Sequence, residues 1–433
     1  MPRRLYTLLL WCAAPFALLA LLWRARREPG ALRGFGARFG FGPALATSGN
    51  IWVHAASVGE VQAAAALIGA LRARHPGRGC VLSCATPAGR ARAEALCAAL
   101  ADVRYAPFDL PGSVARAFRR LRPALLVVIE AEIWPNLLAA CAAGAVPVVY
   151  ASARVSARSA AAWGRWPSLL APLLARGVSV AAQSADDAAR FRALGVPAAA
   201  VSVAGNLKFE REVPPETAAR GAALRERYAA AGQPLWVAGS TREGEEAAVL
   251  QAARMVAERH PGAVLVLAPR HPPRFDAVAA LIAAAGCGCQ RHSGAGAAGA
   301  GMAGAGVAGA GAPRVVLLDT LGELLDFYAA ADVAFVGGSL VSAGGHNLLE
   351  PVALGVPVVA GPHQFNAPEI AGALRRAGAL TVVADATALA GAVNALLDDA
   401  AARARHGAAG RAVVAASRGA LERIVALAGS VLR

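Results

Sequence analysis

From residue 51 onward, short apolar runs alternate with Ala/Arg-rich stretches of helical length, and after residue 234 the alternation begins again. The runs at 51–54, 81–84, 124–129, 146–150 and 178–182 lack the polar alternation of a half-exposed strand. That is the pattern of strands covered on both faces, as in a parallel sheet flanked by helices. Segments near 60–74, 87–99, 113–121 and 184–194 supply the intervening helices, and 235–238, 263–268, 315–318, 333–336 and 356–360 supply a second set of strands. The chain therefore reads as α/β, with two Rossmann-like doubly wound domains facing a cleft, and with ligands expected at the carboxyl ends of the strands. A length of 433 residues suits two domains of ordinary size. The expected boundaries are 29–209 for the first domain, 210–233 for a charged, Pro-containing linker and 234–433 for the second domain. Within the second, Gly294 to Gly311 literally matches G-x-G-x-x-G, but it repeats every five residues and lies outside any strand–turn–helix context. It reads as a low-complexity insertion with no nucleotide role.

Residues 5–23 form an uncharged apolar run, LYTLLLWCAAPFALLALLW. As an α-helix it is about 28 Å long, close to the thickness of bilayer hydrocarbon. It runs directly into Arg24, Arg26 and Arg27 rather than into a small-residue cleavage site, so an uncleaved membrane anchor over 1–28 is expected. The arginine excess after the run places the remainder of the chain on the cytoplasmic side. Pro15 leaves room for a re-entrant or monotopic insertion.

The formal net charge is +15, and among 43 basic side chains Lys208 is the single lysine. Asparagine is almost as scarce, at 50, 136, 206, 347, 366 and 394. A coding bias that replaces Lys by Arg makes each survivor a weak pointer to needed chemistry. No nucleic-acid signature accompanies the charge, and an aromatic content of 6% offers few stacking platforms. An anionic membrane or a phosphorylated substrate fits better than nucleic acid. The seven cysteines are odd in number and without paired metal spacing, which suggests reduced thiols in the cytosol.

Polar residues gather at the ends of the expected strands. In IWVHAASVGE (51–60), Glu60 opens a helix, where a carboxylate is either a simple cap or a general base at the mouth of the sheet. Gly59 allows close approach of a substrate. In EAEIWPN (130–136), alternation sends Glu130 and Glu132 to the same side if the strand continues. GNLKF (205–209) carries Lys208 at a domain edge, where an isolated lysine is ordinarily a solvated charge. In the second half, Pro269 and Arg270 of APRHPPRF follow a strand and suit a phosphate. Leu321, Gly322 and Glu323 of DTLGEL offer free helix-start N–H groups. FVGGS and GGHNLLEP place glycines before a helix expected near His346, with Asn347, Leu348, Leu349 and Glu350 positioned for a phosphate and ribose. GPHQFNAPEI forms a further polar loop, in which His363 is equally a structural histidine.

Taken in this order and spacing, these eight motifs resemble the bacterial lipid A 3-deoxy-D-manno-octulosonic acid (Kdo) transferases over nearly the whole chain. The resemblance implies a GT-B fold and inverting transfer of Kdo from CMP-Kdo to a 6′-hydroxyl of the lipid A precursor, at the cytoplasmic face of the inner membrane and without a metal. No Asp-x-Asp pair of the kind that holds a sugar-nucleotide cation is present. By the same resemblance Glu60 is the proton acceptor, and Glu130 and Lys208 stabilise the transition state. Pro269–Arg270, Leu321–Glu323 and Asn347–Glu350 bind CMP. Two other readings stand beside it: a GT-B enzyme using a UDP- or GDP-sugar on another lipid, and a non-catalytic membrane-anchored sugar-nucleotide binder.

Overall fold

The computed structural model describes residues 3–26, 34–130, 132–210, 213–296 and 313–432. Part of the expected basic flank (27–33) and most of the Gly/Ala insertion (297–311) lie outside them. The chain forms two compact units, Met1–Arg211 with Ser417–Arg433, and Glu212–Ala416.

The first unit is built on seven strands: β1 (Asn50–Ala55), β2 (Cys80–Cys84), β3 (Asp102–Tyr105), β4 (Pro123–Ile129), β5 (Val148–Ala153), β6 (Val178–Ala182) and β7 (Val201–Val203). They pair in parallel in the order β3-β2-β1-β4-β5-β6-β7, so the order reverses between β1 and β4. Burial on both faces explains the missing polar alternation. Trp52 points to one face with Leu126, Val128 and Tyr150, while Ile51 and Val53 point to the other with Leu125 and Val127. Helices start where the sequence offers caps: Ser57, Thr86 and Ser184 each accept from the N–H three residues on.

The N-terminal apolar run forms a helix, Arg3–Ala25. Its first turns dock on this unit: Tyr6 donates to Asp109 (3.0 Å) and Thr7 to Asn136 (3.1 Å). Leu8, Trp11, Phe16, Leu19 and Trp23 are exposed on it. Among the described residues, no helix is long and apolar enough to cross a membrane.

The second unit carries β8 (Leu235–Thr241), β9 (Val264–Pro269), β10 (Gly288–Arg291), β11 (Arg314–Leu317), β12 (Val333–Val336), β13 (Val358–Ala360) and β14 (Leu380–Val382). Their order is β10-β11-β9-β8-β12-β13-β14, again all parallel, with the reversal between β8 and β12. The stretch read from sequence as a linker holds a helix, Thr217–Tyr228, that packs on the helix Leu324–Ala330. Gly221 permits that packing, since a Cβ there would lie 2.6 Å from Ala329.

The chain returns to the first unit with the helix Ala420–Val431, which buries Ile424, Val425 and Ala428 on one face of the first sheet. Glu210 fixes its start by accepting from Ala420 N (2.7 Å) and Leu421 N (3.3 Å). Removing the carboxylate strands two helix-start donors. Glu210→Ala is therefore expected to cost about 1–2 kcal/mol in denaturant unfolding and to speed amide exchange selectively over 420–431.

Candidate active site

At the reversal point of the first sheet, the loop after β1 and the loop after β4 leave in opposite directions. Such divergence makes a crevice at the carboxyl ends of the strands. Glu60 sits in the first turn of the helix Val58–Arg74 that follows the first of these loops, and is 9% exposed. It is the third residue of a capping arrangement in which Glu60 N donates to Ser57 Oγ (3.4 Å) and the Glu60 carboxylate accepts from Ser57 Oγ (2.7 Å) and Ala56 N (2.7 Å). Burial pushes its pKa up, against the lowering effect of those two hydrogen bonds, and the charge of Glu130 adds to the rise.

Glu130 stands in the other loop. The strand stops at Ile129 and Glu130 adopts φ +60°, so the expected alternation ends there and the two carboxylates part. Glu130 turns to Lys208, whose Nζ lies 2.7 Å from its Oε1. Glu132 turns instead to Trp134 Nε1 (2.7 Å) and His54 Nε2 (3.9 Å). His54, which faces it, chiefly lowers the Glu132 pKa, against the effect of burial.

Lys208 is held at both ends. Its backbone N–H donates to Asn206 Oδ1 (2.9 Å), Asn206 Nδ2 donates to Gln183 Oε1 (3.0 Å), and Gln183 Nε2 donates to Ser152 O (3.0 Å). Ser152 Oγ accepts from Leu207 N at 3.2 Å and has φ +53°. A non-glycine residue in that region costs on the order of 1–3 kcal/mol and persists where its surroundings over-determine it. Ser152 and Gln183 escaped sequence reasoning; the scarcity of Asn206 was the one signal near them.

In the second unit, Pro269 ends β9 and Arg270 is exposed beyond it, its N–H bonded to Thr241 O (3.0 Å). Leu321 is 72% exposed on a turn with Gly322 at φ +95°. Glu323 accepts from Thr320 Oγ1 and pairs with His292 Nε2 (3.3 Å). Burial resists ionisation of its carboxyl, but these partners outweigh it and the pKa is lowered. The helix expected near His346 starts at Leu349 and runs only to Leu354; Asn347 Oδ1 accepts from Leu349 N (3.1 Å). Leu348 and Leu349 are buried, and Glu350 is half-buried in the first turn.

Sequence reasoning also missed Glu245. This fully buried carboxylate accepts four backbone N–H groups: Arg242 (2.9 Å), Gly338 (2.6 Å), Ser339 (2.8 Å) and Leu340 (2.8 Å). It ties the loop after β8 to the loop after β12. The polar loop after β13 joins them, because Asn366 Nδ2 donates to Ala343 O and Gly345 O, both at 3.0 Å.

The chain matches two family models: 3-deoxy-D-manno-octulosonic-acid transferase over residues 33–211, and glycosyl transferases group 1 over residues 313–413. It is 35% identical to a 3-deoxy-D-manno-octulosonic acid transferase of Haemophilus influenzae over 98% of this chain and 97% of that one. It is 40% identical to one of Bordetella pertussis over 98% of each. Among solved structures it is similar to a glycosyltransferase from Rickettsia africae (TM-score 0.57, 12% identity, 89% and 99% of the two chains). It is also similar to a UDP-GlcNAc 2-epimerase from Neisseria meningitidis (TM-score 0.56, 12% identity, 88% and 99%). At such identity the structural likeness speaks for the fold alone, a GT-B fold with two Rossmann-like units.

Two glycines separate packing from access. A Cβ on Gly338 would lie 2.7 Å from the His346 ring at φ +68°, whereas one on Gly59 meets nothing within 4 Å. Gly338→Ala is expected to lower unfolding stability by about 1–3 kcal/mol. Gly59→Ala, inside a helix, is expected to raise it by up to about 1 kcal/mol.

Proposed function

The chain belongs to the 3-deoxy-D-manno-octulosonic acid transferase family, and from that premise we propose that it moves Kdo from CMP-Kdo to the 6′-hydroxyl of the lipid A precursor, with inversion and without a metal. The observation that carries the mechanism is the grouping of Glu60, Glu130 and Lys208 at the switch point of the first sheet, with the Glu60 pKa raised by burial. As the acceptor oxygen attacks the anomeric carbon of Kdo, its proton passes to Glu60. The bond from that carbon to the phosphate oxygen breaks, and CMP leaves with the electron pair. A carboxyl with a raised pKa is the better proton acceptor, because basicity follows pKa.

The Glu130–Lys208 pair suits a donor that carries its own carboxylate. Lys208 is a compact ammonium able to turn from Glu130 to the donor carboxylate. Glu130 then presents its charge to the oxocarbenium-like centre that develops as CMP departs. In the second unit, Arg270, the Leu321–Glu323 turn and Asn347–Glu350 are the segments that bind CMP. The acceptor is an anionic glycolipid. Its membrane, the bacterial inner membrane at the cytoplasmic face, matches the apolar N-terminal helix and the net charge of +15.

The direct test incubates purified enzyme with CMP-Kdo and tetraacyl-disaccharide bisphosphate and weighs the lipid product by mass spectrometry. One or more added Kdo residues are expected; the absence of any Kdo-lipid sinks the reading. Glu60→Gln keeps the shape of the cap yet should lose at least about 100-fold in turnover. The wild-type rate should fall with acidification at a higher pH than an ordinary glutamate would give, since protonated Glu60 accepts nothing. Lys208→Arg keeps the charge but not the compact geometry and should lose at least about tenfold in turnover. Transfer should continue undiminished after exhaustive chelation with EDTA.

A further inference from the structure

The reversal point of the second sheet holds a cation that the donor-binding segments named above do not include. Arg242 leaves β8 through a constrained turn: Ser240 has φ +57°, and the pairing of β8 with β9 shifts register between Gly239 and Thr241. Its backbone N–H is fixed by buried Glu245, which also holds the three N–H groups of Gly338–Leu340 after β12. Its side chain is fixed as well, with Nε donating to His346 Nε2 at 3.2 Å. That bond makes Nε2 an acceptor, so the imidazole is neutral with its proton on Nδ1. Burial, and then Arg242, Arg270 and His271, lower the His346 pKa to about 4. The ring reaches Arg242 over Gly338, where a Cβ would collide with it.

With Nε committed, the two terminal nitrogens of the Arg242 fork have no hydrogen-bond partner among the described residues. The neighbouring cation Arg274 is spoken for by Glu243 (3.0 Å) and Glu246 (3.2 Å). Arg270 is exposed and, among the described residues, its side chain has no hydrogen-bond or ion-pair partner to orient it. A guanidinium braced through Nε, with a free fork and, among the described residues, no carboxylate paired with it, is built to take two oxygens of one phosphate. It stands between the loops after β8 and β12, where an open parallel sheet binds its ligand.

We propose that Arg242 is a further donor-binding residue whose fork receives the phosphate of the nucleoside monophosphate-sugar, with His346 and Glu245 as the residues that position it. This rests on the donor reading above. It separates Arg242, a preset cation, from Arg270, which becomes ordered only when the ligand arrives.

Binding of CMP and of cytidine to the full-length chain tests it by calorimetry or by competition. Arg242→Gln should weaken CMP by at least about tenfold and leave cytidine unchanged, because only the phosphate has lost its partner. His346→Phe, which removes the brace but not the charge, should weaken CMP by a smaller factor with cytidine again unchanged. Arg242→Lys should fall between wild type and Arg242→Gln. If Arg242→Gln binds CMP within about twofold of wild type, or loses CMP and cytidine equally, the inference is overturned while the donor reading stands. If the wild type prefers UMP or GMP to CMP, and that preference for phosphate over the bare nucleoside still depends on Arg242, the donor reading fails and the inference holds.

Discussion

Each sheet reverses its strand order once, and at that reversal two neighbouring strands send their loops to opposite faces of the sheet. The backbone groups there have no further strand to pair with, yet they lie at the edge of a dry core. Each such N–H must find an acceptor or cost the fold a hydrogen bond. The second unit meets this constraint with the carboxylate of Glu245 and its four backbone donors. In the first unit Glu60 takes Ala56 N, while Asp109 takes the N–H groups of Asn136 and Leu137 at the start of the next helix. The burial of Asp109 raises its pKa to about 6 even against those bonds. Buried acids therefore set the shape of both crevices before any substrate chemistry is considered.

The lone lysine gains a physical explanation from its neighbours. A guanidinium in place of the ammonium is longer and planar, and it wants two parallel acceptors. Glu130 offers one oxygen at 2.7 Å, and the backbone of Lys208 is already clamped by Asn206. The same clamp accounts for Asn206: a carboxamide presents an acceptor to Lys208 N and a donor to Gln183 at once, which an ionised Asp does not. Ser152 completes the clamp from a left-handed backbone on β5, so the strain sits two strands away from β7, which leads to the charge it positions.

Much of this architecture was legible in the order of residues. The central strands stood out because burial on both faces leaves unbroken apolar runs. The edge strands β3, β10 and β14 did not. DVRY, GCQR and LTV are short and partly exposed, and each mixes polar residues with at most two large apolar ones. The return of Ala420–Val431 to the first unit was hidden as well, because the acceptor that receives it, Glu210, lies 210 residues earlier. At the sites, the placement of a polar residue beside a strand end was readable, as with Glu60, Glu130 and Arg270. Chemistry that depends on a distant loop was not. Nothing local separates Glu245 from Glu243 and Glu246; its role appears only when Gly338–Leu340, more than 90 residues on, arrives beside it. The shared side expected for Glu130 and Glu132 failed for a similar reason: φ +60° at Glu130 ends the alternation.

Glu60 shows why the structural and the chemical readings of a residue need not compete. As a cap it satisfies Ala56 N and fixes Ser57, which favours the ionised carboxylate. As a buried group it is pushed the other way, and burial is the larger effect. A carboxyl whose folded pKa exceeds its unfolded one stabilises the fold fully below the unfolded pKa, near 4.3 for glutamate, and loses that contribution as the pH rises through the folded value. As the pH rises, ionisation of Glu60 thus weighs against the folded state relative to its protonated form, despite its hydrogen bonds. The same imbalance makes it a stronger proton acceptor than a solvated glutamate, since taking up a proton relieves it. The cap keeps the carboxylate in place and the burial keeps its pKa raised. A fold that relaxed Glu60 into solvent would relieve its burial but strand Ala56 N, and the carboxyl would lose its raised basicity.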